Sequence, residues 1–417
     1  MKQTKPGALF LITCLLFQAC QSHDSTSLPS GAAGLTVQEL EVPASLGIAP
    51  NLTATATGGL LLSWIAFSED SLRSLMYSRL EADAWSDPVA VASGTPASWF
   101  VNWADFPALS TFPSGHLAAF WLQKHNKGTF NYDIQVSVSG RNGSDWSAPF
   151  LLHDDGLPAE HGFVSLLPDG DNRMLAVWLD GRNTGGGDGH DHEGHSGAMS
   201  LRTAVFDTLG NISEARELDA RICDCCQTAA AMTSQGPIFA YRNRSDDEIR
   251  DIYYIRRVNG QWSDPKPVHH DGWMINGCPV NGPALAAHGS TVALAWFTAA
   301  SGEGAVFLSW SEDAGETFGP PLRISEGTAI GRVDVVMPDA GQAQVSWMEQ
   351  TGEGAEILLK TVSLDGSAAP AQRIAVVANS RKSGFPRMAL HQNNLWMAWT
   401  AVKGDTTQVK TALLTQQ

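Results

Sequence analysis

Apolar and polar residues alternate along this chain in short runs, and the runs recur. Seven of them end on an aromatic residue: LLLSW at Trp64, LAAFW at Trp121, MLAVW at Trp178, PIFAY at Tyr241, VALAW at Trp296, AQVSW at Trp347 and LWMAW at Trp399. Successive aromatics lie 51 to 63 residues apart. A period of that length marks one supersecondary unit copied along the chain. In the first unit the apolar pieces are 52–57, 60–65, 75–80 and 89–92, punctuated by Gly-Gly, Ser-Glu-Asp and Ser-Asp-Pro. Short alternating runs with turn residues at this spacing predict antiparallel strands.

Four strands per unit, repeated seven times, predict an all-β fold, a seven-bladed β-propeller. The last unit has three strands of its own, at 387–391, 395–401 and 408–414. The alternating segment LTVQELEV at 35–42 is the candidate fourth, which would close the ring and remove its open edge. The expected organisation is therefore one domain over 35–417, although a chain of this length ordinarily divides into two or three. The recurring tryptophans are expected to pack between blades rather than stack on a ligand.

The first residues read differently. Lys2 and Lys5 precede an apolar run from Ala8 to Phe17, too short to span a bilayer, and then Cys20. This predicts a signal peptide over 1–19. The segment Leu16-Phe17-Gln18-Ala19-Cys20 resembles a bacterial lipoprotein box, which implies lipidation of Cys20. Residues 20–34, rich in Ser, Gly and Pro, would follow as a flexible tether. The expected location is the periplasmic side or cell surface of an outer membrane, with membrane contact through the lipid alone. The formal charge of −16 and the lack of a basic stripe argue against nucleic acid as a partner.

The turn before the fourth strand also repeats, as Trp85-Ser86-Asp87-Pro88, Trp146-Ser147-Ala148-Pro149 and Trp262-Ser263-Asp264-Pro265. In unit five it follows Ser311-Glu312-Asp313-Ala314-Gly315-Glu316-Thr317-Phe318, which resembles the Asp-box of sialidase-like propellers, with looser copies at 139–146 and 78–85. The stretches CDCCQT, YRNRSDDEIRDI and GCPVNGP are similar to exported bacterial sialidase-like proteins. The resemblance implies the fold and export, with a six-bladed sialidase ring as the alternative. It also implies what an authentic sialidase would need: an arginine triad, an Asp acid/base and a Tyr nucleophile activated by Glu. The first of those arginines has Ile48 in its place, before Ala49-Pro50, and no tyrosine follows Tyr254. The catalytic set is thus incomplete, and no catalytic role transfers.

Function is sought where the repeat breaks. The link into unit four is Arg221-Ile222-Cys223-Asp224-Cys225-Cys226-Gln227-Thr228, and the link into unit five carries His269, His270 and Cys278. Neighbouring links of one type would bring Cys223, Cys225, Cys226 and Cys278 to one face. In an exported protein they are either disulfides or a thiolate site for copper or zinc. A loop after Trp178 holds Asp180, Arg182, His190, His192 and His195, a second set able to catch a metal ion. Arg242, Arg244, Asp246, Asp247, Arg250 and Asp251 follow Tyr241, either as a brace or as a seat for a carboxylate or phosphate. Trp99, Trp103 and Asp105, with Phe100 and Asn102, would suit a sugar or peptide, or pack a long loop.

Three functions remain open. The first is a lipid-anchored binding protein that captures a metal, copper favoured, or a small anionic ligand. The second is a glycan-active hydrolase using Asp180, Asp246, Asp247 or Asp251, which would need two carboxyls within about 5–10 Å of each other. The third is a scaffold for a protein partner, with purely structural cysteines.

Overall fold

The computed structural model describes residues 35–416 apart from 126–127, 144, 185–196 and 353, together with Met1. The expected signal peptide, Cys20, the tether and His190, His192 and His195 lie outside the described residues. Seven antiparallel sheets of four or five strands follow one another along the chain. Among the described residues there is no α-helix, only two short 3-10 turns. The fold is a seven-bladed β-propeller, and the six-bladed alternative is excluded by the sheet count.

Blade 1 contains Gly47–Ala54, Leu60–Phe67, Arg73–Glu81 and Val89–Gly94, each overlapping the apolar piece that predicted it. Blade 7 contains Arg387–His391, Asn394–Lys403 and Thr406–Gln416. Its outer strand is Leu35–Leu40, paired antiparallel with Leu35 opposite Gln416 and Leu40 opposite Thr411. The ring is therefore closed by its two ends, as expected.

The repeated aromatics form the blade cores. Trp64, Trp178, Tyr241, Trp296 and Trp347 are fully buried, and Trp121 and Trp399 nearly so. The repeated turn serine has a defined task. The Ser86, Ser147 and Ser263 hydroxyls each accept a backbone N–H from the third strand, at Arg79, Val138 and Arg256. In blade 5 the Ser311 hydroxyl accepts from Gly315 N–H, and Asp313 accepts from Thr317 at both its amide and its hydroxyl. These side chains satisfy backbone donors where the ladder stops.

The first strand of every blade lines the axis, enclosing a channel of about 490 Å³. Its wall includes Asn51, Thr53, Ser110, Ser165, Thr228 and Arg387. Links between blades run from an outer strand back to this axis, so residues 223–228 and 268–283 are delivered to the centre of one face.

The closing strand supports the whole ring. Deletion of 35–40 is expected to lower stability by about 3 kcal/mol through lost burial of Leu35, Val37 and Leu40. It should also promote self-association through the freed edge of Thr406–Gln416. Urea unfolding with light scattering measures both, and an unchanged midpoint would contradict the closure.

Candidate functional site

Ile222 ends the outer strand of blade 3, and the chain turns inward. Cys223 N–H donates to the Arg242 carbonyl at 3.0 Å, which pins the link to blade 4. Cys223, Cys225 and Cys226 are then buried together, with one sulfur from each within 4.8 Å of the others. Cys223 Sγ lies 3.2 Å from Cys226 Sγ and 3.9 Å from Cys225 Sγ. None of the four cysteines of the domain is bridged here. Cys278, from the link into blade 5, is exposed and hydrogen-bonded to Cys225.

The trio is electrostatically unequal. Burial opposes ionisation of Cys223, but hydrogen bonds from Cys225 and Cys226 and the Arg250 guanidinium outweigh it and hold the thiol well below its ordinary value. Arg250 Nη1 donates to Cys223 Sγ at 3.3 Å. Hydrogen bonds to Cys223, Cys226 and Cys278, with burial, push Cys225 up; burial and Cys223 push Cys226 up. Of the three sulfurs, Cys223 is the one whose ionisation the surroundings favour, with the Arg250 guanidinium beside it.

The arginine and acid loop is committed to this arrangement. Arg250 also pairs with Glu248 at 2.8 Å, and Arg244 pairs with Glu248 at 2.7 Å and Asp224 at 2.9 Å. Arg242 is buried and donates to three carbonyls, of Asn281, Arg250 and Phe297, with Trp273 against its guanidinium face. Arg182 is held by Asp180 at 2.7 Å. These four arginines brace the structure. Asp251 accepts the amides of Gly272 and Trp273, while Asp246 pairs with Arg221 and, like Asp247, lies in solvent.

The aromatic link of blade 2 is packing rather than an exposed platform. Trp99 is buried against Trp121, and Phe100 stacks on Tyr132 at 4.1 Å. Half-buried Trp103 stacks on Phe385, with the Arg332 guanidinium over its ring. Asp105 is buried and accepts Phe163 N–H at 2.8 Å.

Two groupings were missed in sequence. Tyr132 Oη lies 2.8 Å from Asp105 Oδ2 and 2.7 Å from Glu160 Oε1. The phenol has one proton for two carboxyls, so one carboxyl must itself carry a proton to complete the second bond. Burial pushes the Asp105 carboxyl up to about 7, against the pull of the Phe163 amide and Tyr132. Burial likewise raises Glu160 well above the carboxylate range, with the charges of Asp105, Asp224 and Cys278 adding to it. Burial and these acids raise the Tyr132 phenol. The second grouping is Asp133, His153, Asp155 and His161 at the seam of blades 2 and 3. The only sequence signal was the run Tyr132-Asp133 and the spacing His153-x-Asp155 before His161.

No protein-family model and no curated protein sequence matches the chain. Solved structures do. The polysaccharide lyase Uly1 superposes with a TM-score of 0.52 at 8% identity, covering 91% of this chain and 99% of that one. The phage phi92 endosialidase gives 0.51 at 9%, covering 92% and 69%, and the Trypanosoma rangeli sialidase in complex with the inhibitor DANA gives 0.50 at 9%, covering 90% and 59%. The chain thus has the fold of sialidase-like propellers. Identity this low carries no chemistry.

The protonated acid pair gives a pH dependence. A folded pKa of about 7 for Asp105 exceeds the unfolded carboxylate value of about 3.9. Folding then takes up a proton between these limits, so this contribution to stability is complete below about pH 4 and is lost as pH rises through 7. Asp105→Asn should flatten the decline by up to about 1.4 kcal/mol per pH unit. Urea midpoints from pH 4 to 8 measure it; an unaltered slope would show that Asp105 is not the group.

Proposed function

We propose that this chain is an exported, lipid-anchored propeller whose cysteine-bearing face captures a thiophilic metal ion, with copper(I) favoured. The observation that carries it is the open, buried trio Cys223, Cys225 and Cys226 with Arg250 against the central sulfur. A three-sulfur set without a nearby imidazole suits soft copper(I); zinc in a structural site takes four ligands. Binding the metal removes thiol protons, and Arg250 and Arg242 would offset the added negative charge. Cys278 and Met274 lie exposed on the same link, so soft sulfur is available at the surface to receive the ion before the buried trio does.

Glycan hydrolysis is less well supported. Asp180 is locked to Arg182 and Trp178, Asp251 to backbone amides, and Asp246 and Asp247 stand in solvent. The fold likeness to glycan-active proteins supports that reading at the level of fold alone. An anionic ligand is disfavoured by the commitment of Arg182, Arg242, Arg244 and Arg250 to internal partners.

The test is copper(I) titration of the reduced chain against a chromophoric chelator. One equivalent is expected per chain. Cys223→Ala or Cys226→Ala should weaken binding by more than ~100-fold, beyond what loss of an outer partner costs, and Arg250→Gln by ~10–100-fold. Protein recovered from the cell envelope with its four domain thiols oxidised and no metal would overturn the proposal.

A further inference from the structure

A second cluster of metal-ligating groups stands apart from the cysteines, on the seam between blades 2 and 3. Asp133 comes from the third strand of blade 2, Tyr132–Val138. His153 and Asp155 lie in the link out of blade 2, and His161 opens the first strand of blade 3, His161–Pro168. The two imidazoles are stacked face to face, 3.7 Å between centroids and 4° from parallel. Asp155 spans one edge of the stack, with Oδ1 2.8 Å from His153 Nδ1 and Oδ2 2.9 Å from His161 Nε2.

The proton count of this arrangement does not close. A carboxylate only accepts, so Asp155 takes an N–H from each ring. In neutral rings this leaves lone pairs on His153 Nε2 and His161 Nδ1. Those nitrogens face acceptors: Asp133 Oδ1 at 3.5 Å from His153 Nε2, and the Tyr132 carbonyl at 3.3 Å from His161 Nδ1. His153 Nε2 is buried with no hydrogen-bond partner, on a side chain 1% exposed. Protonating His161 alone lets its Nδ1 donate to the Tyr132 carbonyl but leaves His153 Nε2 facing Asp133, and protonating both would place two imidazolium rings against each other at 3.7 Å, a repulsion that burial enlarges. Converging acceptors without a donor are what a cation satisfies.

We propose that Asp133, His153 and His161 bind a divalent transition-metal cation, zinc favoured, which ties blade 2 to blade 3. Ligand atoms of the three residues lie within 4.8 Å of one another. Two imidazole nitrogens and one carboxylate suit zinc and its neighbours better than calcium or magnesium, which prefer all-oxygen shells. The surroundings are those of a built metal site. Asp155 fixes both tautomers from behind, and His125 Nδ1, 3.0 Å from Asp133 Oδ2, orients the carboxylate. The charge also balances, since the carboxylates of Asp133, Asp155 and Asp180 together offset the cation and Arg182, which lies 2.7 Å from Asp180 and 3.6 Å from Asp155. His125, on the outer side of Asp133, is 35% exposed. The ligand set shares no residue with the cysteine trio, so the two proposals stand or fall separately.

The experiment uses the full chain with Cys223→Ala, Cys225→Ala, Cys226→Ala and Cys278→Ala, so that the thiols of this face do not compete. Zinc chloride titrated against a chromophoric chelator should show one bound equivalent, and zinc should raise the thermal midpoint. In this background His153→Gln should abolish binding, and Asp155→Asn, which positions but does not ligate, should weaken it ~10–100-fold. Cobalt(II) should give visible d–d absorption without the near-ultraviolet sulfur charge-transfer band. Folding is checked by circular dichroism. Should His153→Gln not fold, Asp133→Asn and zinc-edge X-ray absorption of the parent chain take its place, the latter expected to read nitrogen and oxygen ligands only. A folded chain that binds no zinc, or zinc binding unaltered by His153→Gln or Asp133→Asn, would overturn the proposal, as would calcium binding in place of zinc.

Discussion

The antiparallel ladder between Leu35–Leu40 and Thr406–Gln416 is the constraint on which the rest depends. A blade buries only one pair of faces against its neighbours, and a linear stack of seven would leave two apolar faces and a bare edge in water. Closing the stack removes the edge and brings every inner strand to one axis. It also fixes where the links go. Each must return from an outer strand to the centre, so residues far apart in sequence meet there. Gln227, from the link into blade 4, donates to the Ala104 carbonyl and accepts from Gly282 N–H, joining three links through one side chain.

Returning links carry a cost that strands do not, because their backbone groups leave the ladder while still buried. Buried charge meets much of it. Arg242 spends its guanidinium on three carbonyls, and Arg332 donates to the Ser380 and Gly384 carbonyls beneath Trp103. An arginine is suited to this, since a planar fork can satisfy several acceptors and stack on an aromatic face. Its fixed charge then acts on whatever lies nearby. Arg250 shows the consequence: it is buried beside Cys223 and lowers the cost of a thiolate there. The thiol chemistry thus grows out of the same bracing that holds the links.

This explains what was legible in sequence. Strand 387–391 was readable to the residue, because alternation and turns are local and the blade faces are buried in a regular way. The closing strand was readable because its partner was missing from an otherwise regular count. Convergence of the cysteines was readable from equivalence of the links. The role of Arg242 was not: its partners include carbonyls from the link into blade 5 and from the second strand of that blade, and nothing near it in sequence announces them. Trp99 read equally as a platform or as loop packing for the same reason, since its cover, Trp121, lies on another strand. His153 and His161 were passed over because they sit in ordinary positions at the ends of runs. Only the seam between two blades stacks them.

The two proposed metal sites differ in softness, and the fold supplies a physical reason for keeping them apart. The trio lies in an apolar cluster with Phe239, Tyr241 and Phe385, where a hard divalent ion would lose hydration without gaining oxygen ligands. The histidine pair lies under carboxylates, with His125 and Asp133 leading outward, where a soft monovalent ion would leave Asp133 and Asp155 uncompensated. Asp105 and Glu160 are bridged by the Tyr132 hydroxyl, with a proton on one of the two carboxyls, so their oxygens are already committed to each other. Selectivity of this kind needs no lid or rearrangement. It follows from which seam each ligand set occupies, and the seams are set by closing the ring.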